Sequence, residues 1–129
     1  MRPTINIISL GLGHAPAPRT DVPVIDMRPF RDPHVTPDMR NRTALDDDIT
    51  THVLNTPGVR EHLDAAVAEI VSYATGPGRH QDTITVVTAC VGGRHRAPAA
   101  AWRIGALLSN KGWDVNVDHR DLHRPVIER

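Results

Sequence analysis

The feature that most constrains this chain is one unbroken passage from an apolar strand, through a turn rich in glycine and arginine, into an alanine-rich helix. Thr83-Ile84-Thr85-Val86-Val87-Thr88-Ala89 is β-branched almost throughout, the pattern of an inner strand of a parallel sheet. Cys90-Val91-Gly92-Gly93-Arg94-His95-Arg96 follows at once. Residues 97–110 then place Ala100, Ile104, Leu107 and Leu108 toward a core, and Lys111-Gly112 supplies a glycine cap. A strand that feeds a helix and then another strand implies a right-handed crossover, hence a mostly parallel sheet covered by helices.

The rest of the chain fits that frame. Residues 4–10 and 22–27 read as strands, with Pro23 at the start of the second, where its missing N–H matters least. Asp46-Asp47-Asp48 opens a short helix to about Leu54, its carboxylates facing the positive end of the helix dipole. Thr56-Pro57 reads as an N-cap and first helical residue. Val59, Leu63, Val67, Ile70 and Ala74 then form one apolar stripe that ends at Gly76-Pro77-Gly78. Trp113-Asp114-Val115-Asn116-Val117 reads as a last strand. Residues 28–46 lack periodicity and carry Arg28, Arg31, His34, Arg40 and Arg42 among Pro29, Pro33 and Pro37. A long proline-braced segment of this kind reads as an ordered, functional loop. The expected fold is α/β: a single domain over residues 1–129, a mostly parallel sheet with flanking helices, and a phosphate loop between a central strand and a helix.

Composition narrows the function. Fifteen basic residues balance fifteen acidic ones, which argues against a polybasic nucleic-acid arm. Only Phe30, Tyr73, Trp102 and Trp113 are aromatic, too few for a platform that stacks single-stranded bases. The sequence has neither an apolar run long enough to span a membrane nor a signal-peptide pattern, so a cytoplasmic protein is expected. Cys90 is the single cysteine, which excludes an intrachain disulfide and a cysteine-built zinc site. All basic residues but Lys111 are arginine, the better fork for phosphate or carboxylate.

In open α/β sheets ligands sit outside the carboxyl ends of the strands. Three segments bearing Arg and His leave strands at that edge: 28–42, 90–96 and 118–124. Gly92 and Gly93 permit positive φ and close backbone approach. Successive N–H groups in such a turn make an anion nest, and the helix behind it adds unpaired N–H donors and its dipole. Arg94 and Arg96 are placed to close on phosphate oxygens, and His95 and His34 to donate to a phosphate or sugar hydroxyl. Asp26 ends a strand at the same edge, where it either pairs with Arg28 or accepts from a sugar hydroxyl or amine. Catalysis is the alternative. Cys90 and Arg96 enclose five residues, the spacing of cysteine-dependent phosphatases, and a thiol beside a helix N-terminus and arginines is expected to have a lowered pKa. Ala89 and Ala97 stand where those enzymes carry His and a hydroxyl. Gly11-x-Gly13 lacks the third glycine of a dinucleotide fingerprint, and His119 with His123 lacks a third metal ligand. No cofactor or metal is implied.

The loop Cys90–Arg96 resembles the Cys-Thr-Gly-Gly-x-His-Arg-Ser loop of the C-terminal domain of RapZ, the bacterial RNase adapter protein. Three further blocks are similar to that family in the same order. Asp26-Met27-Arg28-Pro29-Phe30-Arg31-Asp32-Pro33-His34 resembles its Asp-x-Arg-Phe-x-x-Asn-Pro-His. Arg40-Asn41-Arg42-Thr43-Ala44-Leu45-Asp46 resembles its Arg-x-x-Thr-Gly-Leu-Asp, and His119-Arg120-Asp121-Leu122 its His-Arg-Asp-Leu. The likeness runs from about residue 5 to the end of the chain. It implies a domain that senses glucosamine-6-phosphate, binds small RNA and helps form a homo-oligomer. It implies a ligand site at Asp26, Arg28, His34, Thr43, Cys90, Val91, Gly92, Gly93, Arg94, His95, Arg96 and His119. The family's Walker-type G-x-x-x-x-G-K-[ST] is not in this sequence. Val91 and Ala97 replace a Thr and a Ser of the family loop, removing two hydroxyl donors.

Overall fold

The computed structural model describes residues 2–32 and 36–127. In chain order the elements are β1 (Thr4–Gly11), β2 (Ile25–Asp26), α1 (Pro37–Arg40), α2 (Asp47–Leu54), α3 (Val59–Thr75), β3 (Thr83–Cys90), α4 (Arg96–Asn110) and β4 (Val115–His119). The four strands lie in the order β2-β3-β1-β4, and every pairing is parallel. This is the expected α/β architecture, with β3 inside the sheet between β2 and β1.

Strand alternation sorts the side chains onto two faces. Ile5, Ile7, Ile84 and Val86 face the helices and join Leu63, Ile70, Ile104 and Leu108 in the main core. The other face carries a smaller cluster, Leu10, Val87 and Ala89, packed by Ile8, Leu12 and Ala17. Burying any one of these Ile or Leu side chains contributes about 1.5–3 kcal/mol, so the sheet register is strongly held. That register sets Gly11 beside Cys90, Asp26 beside Ala89 and Ser9 beside His119. The carboxyl ends of all four strands therefore meet at one edge.

Four boundaries differ from expectation. β2 is confined to Ile25–Asp26. The segment 28–46 contains the short helix α1. Helix α3 starts from Gly58, which has φ of 87°, rather than from Thr56-Pro57. The Thr56 hydroxyl donates instead to the His52 carbonyl, closing the preceding helix α2. β4 begins two residues late because Trp113 belongs to the end of α4. The amides of Gly112 and Trp113 donate back to Ser109 and Leu108 at 3.0 and 3.1 Å, and Gly112 has φ of 88°, a Schellman cap. Trp113 is buried beneath Arg2, whose guanidinium lies 3.4 Å from the ring centroid.

Candidate functional site

The loop after β3 turns back on itself because Gly93 adopts φ of 75°. Its glycines serve packing first. A Cβ on Gly93 would lie 2.7 Å from the Gly11 nitrogen and 2.8 Å from the Asp121 Cβ. A Cβ on Gly11 would lie 2.4 Å from the Gly92 carbonyl carbon. The end of β1 and the loop after β3 thus press backbone against backbone. Asp121 secures the junction: its fully buried carboxylate accepts from the Gly11 amide at 2.8 Å and pairs with Arg120 and Arg124, each at 2.9 Å. Burial pushes the Asp121 carboxyl up, but Arg120 and the Gly11 amide outweigh it and hold it below the usual carboxylate value. Arg120 also donates to the carbonyls of Ala15 and Pro16, at 2.9 and 2.7 Å, and so staples the loop after β1.

Cys90 points into this turn and is buried. Its sulfur accepts from the amides of Gly93, at 3.2 Å, and Ala97, at 3.4 Å. Burial pushes the thiol pKa up. The Ala97 amide, the Arg96 charge and the Gly93 amide pull the other way without overcoming it. The lowered pKa expected from the helix terminus and arginines is corrected here: the thiol is desolvated, and its nearest donors reach it as a neutral acceptor.

Arg96 is also buried, and its guanidinium is engaged within the fold. One terminal nitrogen donates to the carbonyls of Met27, Arg28 and Phe30 at 3.2, 3.0 and 3.0 Å. The other pairs with Asp32 at 3.0 Å. This fixes the chain after β2 against the start of α4. His95 does the same for the next segment, with Nε2 at 2.6 Å from the Arg42 carbonyl and Nδ1 at 3.5 Å from Asp32. Arg94 reaches in both directions, to the carbonyls of Asn41 at 2.7 Å and Arg124 at 2.8 Å. The Ala44 amide donates to the Arg94 carbonyl at 2.9 Å. The arginines expected to face outward toward a ligand therefore also knit three segments together.

Donors nevertheless remain open around the loop. The Nε–H groups of Arg94 and Arg96 are buried without a hydrogen-bond partner among the described residues. The amides of Gly92, Arg94 and His95 likewise donate to no group among those residues. The hollow in front of Gly92, Arg94 and His95 holds only about 10 Å³, and Arg96 is not among the residues that line it. Val126 and Ile127 line it together with Asp32, Gly92, Arg94 and His95, so the end of the described chain is tucked across the loop. Gly13 makes room for that tuck: a Cβ there would lie 2.5 Å from the Ile127 Cδ1.

The other expected site residues sit as follows. Asp26 pairs with Arg28 at 2.8 Å, both partly exposed. The Arg28 hydrogen bond holds the Asp26 carboxyl below its usual value. The Thr43 hydroxyl accepts from the Leu45 amide at 3.2 Å, one residue from the contact with Arg94. The Val91 carbonyl accepts from the Gly13 amide at 2.9 Å. His34 lies outside the described residues. His119 is not at the hollow. It sits 2.6 Å from the Ser9 hydroxyl and lines a separate cleft of about 630 Å³. Burial is the main cause that lowers its pKa. Sequence reasoning missed the parts played by Asp32 and Asp121. Both lie inside quoted blocks, but only the fold shows that they pair with Arg96 and hold Gly11. Among the described residues no cluster of His, Cys, Asp or Glu is disposed to hold a metal, and no helix is long and apolar enough to cross a membrane.

Against known families, the RapZ C-terminal domain matches residues 3–123. The chain belongs to the RapZ C-terminal domain family. The match starts near the expected point and stops at His123, short of the segment that carries Val126 and Ile127. A nucleotide-binding protein of Streptomyces coelicolor is 36% identical over 102 residues, 78% of this chain and 34% of that protein. One of Thermobifida fusca is 34% identical over 122 residues, 92% of this chain and 40% of that protein. One of Nocardioides is 33% identical over 125 residues, 96% of this chain and 41% of that protein. This RapZ-type domain therefore spans well under half the length of these relatives.

Proposed function

We propose that this domain is a ligand sensor that binds a phosphorylated metabolite, an amino-sugar phosphate such as glucosamine-6-phosphate, at the Cys90–Arg96 loop. The observation that carries the reading is the set of unpaired donors on that loop. A buried N–H without a partner costs about 1–3 kcal/mol, and the Nε group of Arg94 is one such group beside three open amides. A phosphate dianion satisfies donors of this kind with short, charge-assisted bonds. Gly92, Gly93, Arg94 and His95 surround the phosphate, and Arg96 supports the loop from behind. Asp26, Arg28 and Thr43 shape the sugar side. The names of the relatives speak for a small-molecule partner in general terms. The sugar phosphate rests on this chain's own loop and its family likeness. The segment ending in Ile127 lifts to admit the ligand.

A cysteine phosphatase needs a thiolate, and burial disfavours one at Cys90. Calorimetric titration with glucosamine-6-phosphate, glucosamine and inorganic phosphate tests the proposal. Saturable binding of the sugar phosphate, weaker binding of phosphate alone and retained binding in Cys90→Ser support it. Hydrolysis of the sugar phosphate that disappears in Cys90→Ser would establish the enzyme instead.

A further inference from the structure

A cleft far larger than the loop hollow lies elsewhere on the domain. It holds about 630 Å³ between α2, the start of α3 and the outer side of α4, within the usual range for small-ligand sites. Trp102 lines it and is 57% exposed, and Leu45 on its rim is 65% exposed. The contrast with Trp113, buried under a guanidinium, is informative. Leaving an indole in water forgoes the largest hydrophobic gain any side chain offers, and an exposed aromatic in a concave site marks a binding surface.

The charges in the cleft point to the ligand. Arg60 and Arg103 line it, and no ion pair among the described residues involves either one. Arg60 makes only a long contact of 3.4 Å with Asn55. Asp47, the cleft's carboxylate, lies in the first turn of α2, where the helix dipole already compensates it. Thr51 adds a wall hydroxyl. The sum is a flat apolar face beside uncommitted positive charge.

We propose that this cleft is a second ligand site, separate from the loop, for a planar heterocycle carrying an anionic group, of the class of a nucleoside monophosphate. The ring stacks on Trp102, and Arg60 and Arg103 take the phosphate. Neither half suffices alone, because an exposed cation gains little from phosphate in water and one indole face gains little from a ring.

The test uses AMP, with adenosine and inorganic phosphate as the two halves, followed by tryptophan fluorescence and by calorimetry. AMP is expected to quench the exposed indole saturably and to bind at least tenfold more tightly than either half. Arg103→Ala and Arg60→Ala are each expected to weaken AMP at least fivefold. Trp102→Ala, read by calorimetry, is expected to weaken it tenfold, with circular dichroism confirming that the fold is kept. Saturating glucosamine-6-phosphate is expected to leave AMP affinity unchanged. Absence of saturable AMP binding to the folded protein would overturn the proposal. So would affinity indifferent to Arg60, Arg103 and Trp102, or competition by the sugar phosphate, which would place AMP at the loop.

Discussion

Replacing Arg96 separates a residue that builds the site from one that only grips a ligand. In Arg96→Met, three carbonyls lose their shared donor and Asp32 loses its guanidinium, all in a buried setting. Removing one partner of a buried ion pair costs about 3–5 kcal/mol. Individual hydrogen bonds from a charged donor contribute about 1.5–3 kcal/mol, but they share one side chain and do not add in full. A loss of about 4 kcal/mol is therefore expected, a large part of the ~5–15 kcal/mol of an ordinary domain. Arg96→Lys keeps the charge but offers a single compact head that cannot span both the carbonyls and Asp32, so about 2 kcal/mol is expected. Urea unfolding read by circular dichroism measures both. With a slope of about 2 kcal/mol per molar, the methionine variant shifts the midpoint down by roughly 2 M. A stability loss below about 1 kcal/mol, together with abolished sugar-phosphate binding, would refute the reasoning and make Arg96 a ligand clamp alone.

Four further outcomes are expected. Gly93→Ala strains a residue at φ of 75° and drives a Cβ to within 2.7 Å of the Gly11 backbone, so thermal unfolding should show a loss of about 2–4 kcal/mol. Asp121→Asn should cost about 2–3 kcal/mol at neutral pH. Because the folded pKa is depressed, the native carboxylate's contribution is present above about pH 4 and lost as pH falls through the folded value. Urea midpoints of the two proteins should therefore draw together as pH falls below the ordinary carboxylate range and through the depressed folded value. Cys90, buried with a raised pKa, should react with a disulfide reagent at least a hundredfold more slowly than free cysteine at pH 8, and at full speed in urea. Ile127→Asp should release the segment from the hollow and tighten sugar-phosphate binding in calorimetry, by about tenfold if ~1.4 kcal/mol of apolar packing holds it closed.

The strands and long helices were legible because their cause is local. The partly alternating isoleucines from Thr4 to Leu10 and the β-branched run before Cys90 both read as strand. Errors fell where a residue serves a neighbour in space. Thr56-Pro57 has the chemistry of a helix start, yet the Thr56 hydroxyl closes the previous helix and Gly58 opens the next. Trp113 has strand propensity, yet it completes a glycine cap. The site was legible as a loop and as a family likeness, but its division of labour was not. Nothing in Arg94-His95-Arg96 says that one guanidinium binds three carbonyls of the chain after β2 while its neighbour ties Asn41 to Arg124. Those partners lie tens of residues away and come together only through the parallel crossover. His119 sits in a block that pointed to one site, yet the sheet register places it beside Ser9 and a different cleft.

The most direct test follows backbone amide resonances of this 129-residue chain while glucosamine-6-phosphate is added. The account predicts saturable shifts of the Gly92, Gly93, Arg94 and His95 amides, with the Val126 and Ile127 signals moving as their segment lifts. Unmoved loop amides at millimolar ligand, or shifts confined to Thr51 and Trp102, would contradict it.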